Sequence, residues 1–365
     1  MKVLIAGGGT GGHLFPGMAV AEAFTDAAPD TEVAFAGTDR GIEARVIPNT
    51  HYRLFTLPVF GVVGVGWLRQ LFALSVLPSA IAAAGRVLRA FRPDLVVGVG
   101  GYASAPVLFM AGIRKIPRVM MEQNAVPGLT NRIFGPTVER VFLTVDEARS
   151  AFKGGTFSCP GNPVRKALLT AAQEPPTDDG MRLLVFGGSQ GALAVNEAME
   201  AALPELLDQL PELTVTWQTG RHQQERWEQA AKCHGERVTV LPFIDDMGAA
   251  YAGCDLVLCR SGATTVAEIT CLGKPAILVP LPSAAHDHQS ANARVLDSHG
   301  AARLLPQDEL SGERLTETVV SIFSNRDELA KMEAASRSLG RPGAAREIVA
   351  ECLKMLTPVD RQSTP

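Results

Sequence analysis

The sequence predicts an α/β protein with two parallel sheets, one in each half of the chain. Three observations carry that expectation. The chain has 365 residues, and single hydrophobic cores rarely grow past roughly 250–300 residues. Residues 2–24 read KVLIAGGGTGGHLFPGMAVAEAF, and residues 182–203 read RLLVFGGSQGALAVNEAMEAAL. Each is an apolar strand, a glycine loop and a helix pattern, in the same order. Short apolar runs then alternate with helix-like stretches, which is how parallel strands and their crossover helices read.

Taken in order, strand-like runs fall at residues 33–36, 95–99, 119–122, 141–143, 213–218, 238–241, 256–259 and 276–280. Helix patterns fill most gaps, for example 79–91 and 264–272. In the first of these Ile81, Ala84, Leu88 and Phe91 fall on one face, the spacing of a helix packed on a sheet. A boundary between the halves is expected near Gly161-Asn162-Pro163, ahead of the polar stretch 173–180. Arg341-Pro342-Gly343 breaks one helix before a last one at 344–356, and the polar tail 358–365 reads as disordered.

Composition removes several function classes. Lys and Arg number 34 against 38 Asp and Glu, so there is no basic excess of the kind a nucleic-acid binder shows. The six cysteines form no CxxC pair and read as free core thiols of a reducing compartment rather than disulfides or metal ligands. The N-terminal apolar run is too short for a signal peptide and flows straight into the glycine loop. Residues 54–85 carry one charge, Arg69. Pro58, Gly61, Gly64, Gly66 and Pro78 interrupt that stretch, so it reads as buried core or as a surface patch that dips into lipid, not as a spanning helix.

Gly7, Gly9 and Gly12 satisfy GxGxxG between a strand and a helix, so amides and a helix terminus can approach an anion there. The dinucleotide fingerprint also wants an acidic residue at the end of the second strand. That strand closes on Gly37-Thr38 and Asp39 comes late, which weakens a dehydrogenase reading. Residues 187–191, GGSQG, fit GxSxG, the nucleophile elbow of hydrolases. Here, however, the loop opens a second α/β half, and Ser189 better offers a hydroxyl to a phosphate.

Residues 244–292 are the most informative. Ser261 is placed to cap a helix beginning around Gly262, and Thr264 and Glu268 share a face of it. A diphosphate at a helix start with a carboxylate on the same face suits a nucleotide, whose ribose donates two hydroxyls. Asp245 and Asp246 are adjacent and form no spaced acidic pair, so no metal is expected on a sugar nucleotide, and Asp287, His288 and His286 read as loop polarity.

The ordered set GGGTGGHLFPG (7–17), GGYAS (100–104), EQNAVPGLTNR (122–132), GNPVR (161–165), GGSQGA (187–192), IDDM (244–247), RSGATTVAE (260–268) and HDHQ (286–289) resembles the glycosyltransferases of peptidoglycan synthesis that convert lipid I to lipid II. The resemblance runs through nearly the whole chain. It implies the GT-B architecture, two Rossmann-like domains facing a cleft with the last helix returning to the first. The domains would be 1–161 with 341–357, binding acceptor and membrane, and 162–340, binding the UDP-sugar.

The resemblance also implies roles. Thr10, Gly11, Gly12 and Asn124 would face the donor sugar and diphosphate from the first domain. Arg165 and Ser189 would meet the donor from the second, Ser189 at a phosphate. Ile244 would hold uracil through its backbone. Ala263, Thr264, Thr265, Val266, Ala267 and Glu268 would take diphosphate and ribose, and Gln289 the N-acetylglucosamine hydroxyls. His13 would be the general base in an inverting transfer from UDP-N-acetylglucosamine to the C4 hydroxyl of undecaprenyl-diphosphate-linked muramoyl-pentapeptide. No cofactor is implied. The enzyme would be peripheral on the cytoplasmic face of a bacterial inner membrane, through the apolar patch near Trp67 and Phe72. Two departures stand out: Ser290 where a second glutamine is usual, and Val65 and Trp67 where lysines are usual.

Overall fold

The computed structural model describes residues 1–60, 67–171, 180–188, 190–282 and 287–357, the side chains of 67–74 excepted. Its contacts divide into two units, Met1–Arg165 with the segment from Pro342 onward, and Lys166–Arg341.

The first unit holds the strands β1 (Lys2–Gly7), β2 (Glu32–Gly37), β3 (Arg53–Thr56), β4 (Leu95–Gly100), β5 (Arg118–Glu122), β6 (Arg140–Leu143) and β7 (Phe157–Ser158). They lie in the order β3-β2-β1-β4-β5-β6-β7, every pair parallel. Central strands of such a sheet are covered on both faces and so are apolar throughout. LVVGVG of β4 is buried at every position. One face packs on the helices Gly11–Ala27 and Ala344–Leu356, with Val20, Phe24, Ile348 and Cys352 in that core. The other packs on Trp67–Phe91 and Ser104–Ile113.

The second unit repeats the plan with β8 (Met181–Phe186), β9 (Leu213–Gln218), β10 (Val238–Leu241), β11 (Leu256–Cys259), β12 (Ala276–Leu278) and β13 (Ala302–Leu304). Their order is β10-β9-β8-β11-β12-β13, again all parallel. In each sheet the first strand sits where the order reverses direction, beside β4 or β11. Open α/β sheets bind ligands at that point, beyond the carboxyl ends of the strands. The loops after β1 and β8 both open there.

The two-sheet expectation is met, and the last helix does lie in the first unit, its residues sharing a core with the first helix. The helix expected over 79–91 starts earlier, at Trp67, and carries Pro78 inside it. Ala84, Leu88 and Phe91 are buried as the spacing required, whereas Ile81 is only partly covered. No described helix is long and apolar enough to cross a membrane. The cysteines are free thiols, with Cys254, Cys259 and Cys352 buried. Burial pushes the Cys254 and Cys352 thiols up to about 12, so they pack as small apolar groups.

Candidate active site

In the first unit β1 ends in the glycine loop and Thr10 becomes the N-cap of Gly11–Ala27 in an extended conformation. Its hydroxyl does not cap an amide. Instead Oγ1 lies 3.1 Å from Nδ1 of His13, one turn along. The His13 ring rests on the backbone after β4. A Cβ added to Gly100 would stand 2.9 Å from His13 Cδ2 and 3.1 Å from Nε2, so only glycine leaves room for the imidazole. Gly100 also holds φ at 93°, where side chains are strained.

Burial lowers the His13 pKa below 6.5, while the Gly8 carbonyl and the Glu43 charge pull it back up. The ring is therefore neutral at neutral pH. Its ring nitrogens have two neighbours, the Thr10 hydroxyl at Nδ1 and the Gly8 carbonyl as a hydrogen-bond acceptor. A neutral imidazole oriented by its neighbours has what a general base needs.

Two buried carboxylates shape this site: Glu43, which no motif singles out, and Glu122, which opens the EQNAVPGLTNR stretch without an implied role. Glu43 is 1% exposed. Its Oε1 accepts from the Thr38 amide and hydroxyl, both at 2.8 Å, and Oε2 accepts from the Gly9 amide at 2.8 Å. That amide of the loop is thus already bonded to an internal anion, which argues against a dinucleotide diphosphate there. Glu122, 2% exposed, organises the loop after β5. It accepts from Asn124 N at 2.9 Å, Gly128 N at 3.1 Å and Asn131 Nδ2 at 2.8 Å. Burial raises its pKa, and these donors oppose the rise. The Asn124 side chain also donates to Glu122, at 3.3 Å.

Arg165 departs from expectation. It belongs to the first unit, not the second, because the chain before it is buried there from Gly161 to Val164. Its guanidinium stacks on Phe15, 4.3 Å from the ring centroid.

In the second unit Ser189 and His286 lie outside the described residues. Around that position Gly188 O accepts from Gly191 N and from Gln218 Nε2, each at 2.8 Å, before the helix Leu193–Gln209 begins. The helix Ala263–Cys271 follows β11. Its N-cap is Gly262, with no side chain capping it, so Ser261 is not the cap its type suggested. The Ser261 hydroxyl, fully buried, donates instead to the Gln289 carbonyl at 2.9 Å, and Asn292 Nδ2 donates to Ser261 O at 3.0 Å. These bonds lock two helix starts together. Gln289 Oε1 accepts from Leu281 N at 3.0 Å, which leaves its amide nitrogen to turn elsewhere.

An uncapped helix start is an anion site because its first amides have no partner within the helix. Ala263, Thr264, Thr265, Val266 and Ala267 are only partly buried, and Glu268 behind them is buried. Tyr251, fully buried, donates its hydroxyl to Glu268 Oε2 at 3.1 Å. Tyr251 lies on the short helix Met247–Ala252, capped by Asp246 through Ala249 N at 2.9 Å. Ile244 is buried just before that helix, and among the described residues its backbone makes no hydrogen bond. The Tyr251 bond thus ties the Ile244 loop to the helix that carries Glu268. Arg260 is structural, donating to the Val279 and Pro280 carbonyls and to Gln307.

Comparison with known proteins agrees with this division. Residues 3–143 match the glycosyltransferase family 28 N-terminal domain and residues 182–348 its C-terminal domain. A relative from Geobacter sp. (strain M21) is 44% identical over 352 residues, covering 96% of this chain and 95% of its own. It is named UDP-N-acetylglucosamine–N-acetylmuramyl-(pentapeptide) pyrophosphoryl-undecaprenol N-acetylglucosamine transferase. Among solved structures, MurG of Acinetobacter baumannii superposes with a TM-score of 0.75 at 31% identity, covering 97% of this chain and 99% of that one. A UDP-GlcNAc 2-epimerase from Neisseria meningitidis shares the fold alone, with a TM-score of 0.67, 15% identity, and coverage of 97% and 100%.

Proposed function

The chain belongs to glycosyltransferase family 28, and we infer from that membership that it is an inverting N-acetylglucosaminyltransferase converting lipid I to lipid II. The donor is UDP-N-acetylglucosamine and the acceptor N-acetylmuramyl-(pentapeptide) pyrophosphoryl-undecaprenol, as in the names of its relatives, and the reacting group is the C4 hydroxyl of the muramoyl sugar. The observation that carries this reading is the uncapped start of Ala263–Cys271 with the buried, Tyr251-held Glu268 on the same helix.

In the second unit that helix start receives the diphosphate, Glu268 the ribose hydroxyls, and the Ile244 backbone the uracil edge. Gln289, oriented by Leu281, takes sugar hydroxyls through its amide nitrogen. In the first unit His13 Nε2 removes the proton from the acceptor hydroxyl as its oxygen attacks the anomeric carbon. The C1–O bond to UDP breaks with its electron pair, and the leaving diphosphate is met by helix amides. The α-linked donor becomes a β1→4 disaccharide, UDP and a proton on His13. Thr10, Gly11, Gly12 and Asn124 line the loops around that base, and Arg165 stands beside them on Phe15.

The acceptor's lipid is met on the first unit. An apolar cavity of about 220 Å3 lies beside Tyr102, walled by Pro58, Leu77, Ile133 and Phe134. Phe109 and Ile113 stand exposed nearby on the helix Ser104–Ile113. These support peripheral attachment to the cytoplasmic face of the inner membrane; the side chains of Trp67 and Phe72, expected in the same patch, lie outside the described residues.

The test is product analysis. Labelled UDP-N-acetylglucosamine and lipid I should give a labelled lipid-linked β1→4 disaccharide and UDP. Release of an epimerised nucleotide sugar, or transfer to diacylglycerol alone, would reject the assignment.

A further inference from the structure

Glu43 sits directly beneath the glycine loop, on the segment that follows β2. Three glycines close around its carboxylate. A Cβ on Gly8 would stand 2.4 Å from its Cδ, one on Gly41 2.2 Å from Oε2, and one on Gly37 2.7 Å from Cγ. Each carboxylate oxygen is engaged, Oε1 by Thr38 and Oε2 by Gly9. This is a built receptacle for one acidic side chain, and its occupant bonds the residue before Thr10. Thr10 in turn lies against His13 Nδ1.

We propose that Glu43 is the positioning residue for His13: its carboxylate fixes the Gly8–Thr10 turn that contacts the imidazole and leads into its helix, and supplies the negative field in which that ring works. The proposal rests on the reading of His13 as the base. It also explains why the first loop resembles a dinucleotide fingerprint without being one. The acidic group that would meet a ribose at the end of β2 is displaced a few residues along the chain and turned inward onto the loop itself.

Few other charged groups face the ring. Tyr102, from the loop after β4, packs 3.6 Å from the Cβ position of Gly9, and burial with Glu43 and Asp39 raises its pKa. Gln123, behind Gly100, is neutral and is held by the Val99 carbonyl. Arg165 lies over Phe15, two residues along the helix. Glu43 is the carboxylate that acts on His13, and it acts to raise the ring's pKa.

The experiment titrates His13 by NMR in the full chain, the resonance being the one of seven histidines that vanishes in His13→Gln. In Glu43→Gln the His13 midpoint should fall below the wild-type value. Its kcat should drop by up to roughly 10²-fold, the usual cost of a misplaced catalytic group, with KM for the sugar nucleotide within a few-fold. The acidic limb of the kcat profile should move to lower pH with the midpoint. Glu43→Asp keeps the charge but falls one methylene short of Gly9. It should recover most of the midpoint while kcat stays reduced, and it serves as the test if the glutamine variant does not fold. An unchanged midpoint, or a shifted one with wild-type kcat, overturns the proposal and leaves Glu43 as packing. If the wild type transfers no N-acetylglucosamine yet the midpoint still shifts, the functional reading fails and the coupling stands.

Discussion

Tyr251 donates its hydroxyl to Glu268 Oε2 across 3.1 Å, with both side chains buried in the second unit. One of the two carboxylate oxygens is thereby fixed, and the Glu268 plane is set before any ligand arrives. Glu268→Ala removes charge-assisted bonds to ribose worth about 1.5–3 kcal/mol each. With two such bonds, kcat/KM should fall by roughly two to four decades. Tyr251→Phe should cost about 1 kcal/mol or less, read as a rise of at most roughly tenfold in donor KM with kcat held. Isothermal titration with UDP checks both. Unaltered UDP affinity in a folded Glu268→Ala protein would remove the ribose role.

His13→Ala should lower kcat by roughly 10²–10⁴, with donor affinity nearly intact. The pH dependence has a definite sign. The folded pKa lies below 6.5, so the wild type keeps its base form into mildly acidic solution and its acidic limb falls below that value. For the same reason the unfolded chain binds this proton first. Stability therefore declines as pH drops from 6.5 toward the folded pKa, and His13→Ala flattens that part of the curve. Near-normal turnover in the variant would assign the base elsewhere.

Glu122 is a test of loop order rather than chemistry. Glu122→Gln turns an acceptor of four hydrogen bonds into a group with one acceptor and an unwanted donor. Each orphaned amide costs about 1–3 kcal/mol, so the urea midpoint should fall clearly. Because burial raises the Glu122 pKa above 4.5, the unfolded chain releases its proton first as pH rises. That stability contribution is full below 4.5 and is lost as pH rises through the folded pKa. The glutamine variant should show no such slope; a wild-type midpoint and slope would mean that the loop does not depend on this carboxyl.

Turnover should persist in excess chelator, with at most a modest stimulation by Mg²⁺. Asp246 is committed to Ala249 N as a helix cap, and its neighbour Asp245 offers no spaced partner. Complete, reversible loss of transfer in EDTA would contradict this.

Phe109 and Ile113, 43% and 60% exposed, should contribute to lipid attachment. Liposome flotation should weaken in the double serine variant, while transfer to a short-chain soluble acceptor survives. Equal flotation before and after would assign these residues to a different surface.

The sheet cores were legible because buried parallel strands are continuous apolar runs. The runs at 213–218, 238–241 and 256–259 coincide with β9, β10 and β11 residue for residue. Three of the four edge strands were not legible, since RLFT of β3, FS of β7 and ARL of β13 are short or mixed in polarity. The glycine loops declared themselves through composition. The buried roles of Glu43, Glu122 and Tyr251 did not, because a buried polar side chain looks like any surface one until its partners are in place. Ser261 shows the converse: a serine before a helix reads as a cap, yet a carbonyl 28 residues on claimed its hydroxyl.

The helix Ala344–Leu356 supplies Ile348, Val349 and Cys352 to the same core as Val3, Ile5 and Phe24. It is also pinned by Glu351, which pairs with Arg140 and accepts from Ser158 Oγ at 2.8 Å. During translation the first unit therefore leaves the ribosome with one sheet face incomplete and must wait for the whole second unit before it can close. The second unit, continuous in sequence from Lys166 to Arg341, has no such delay. The second unit can thus complete its core before the first does, although the first is synthesised earlier.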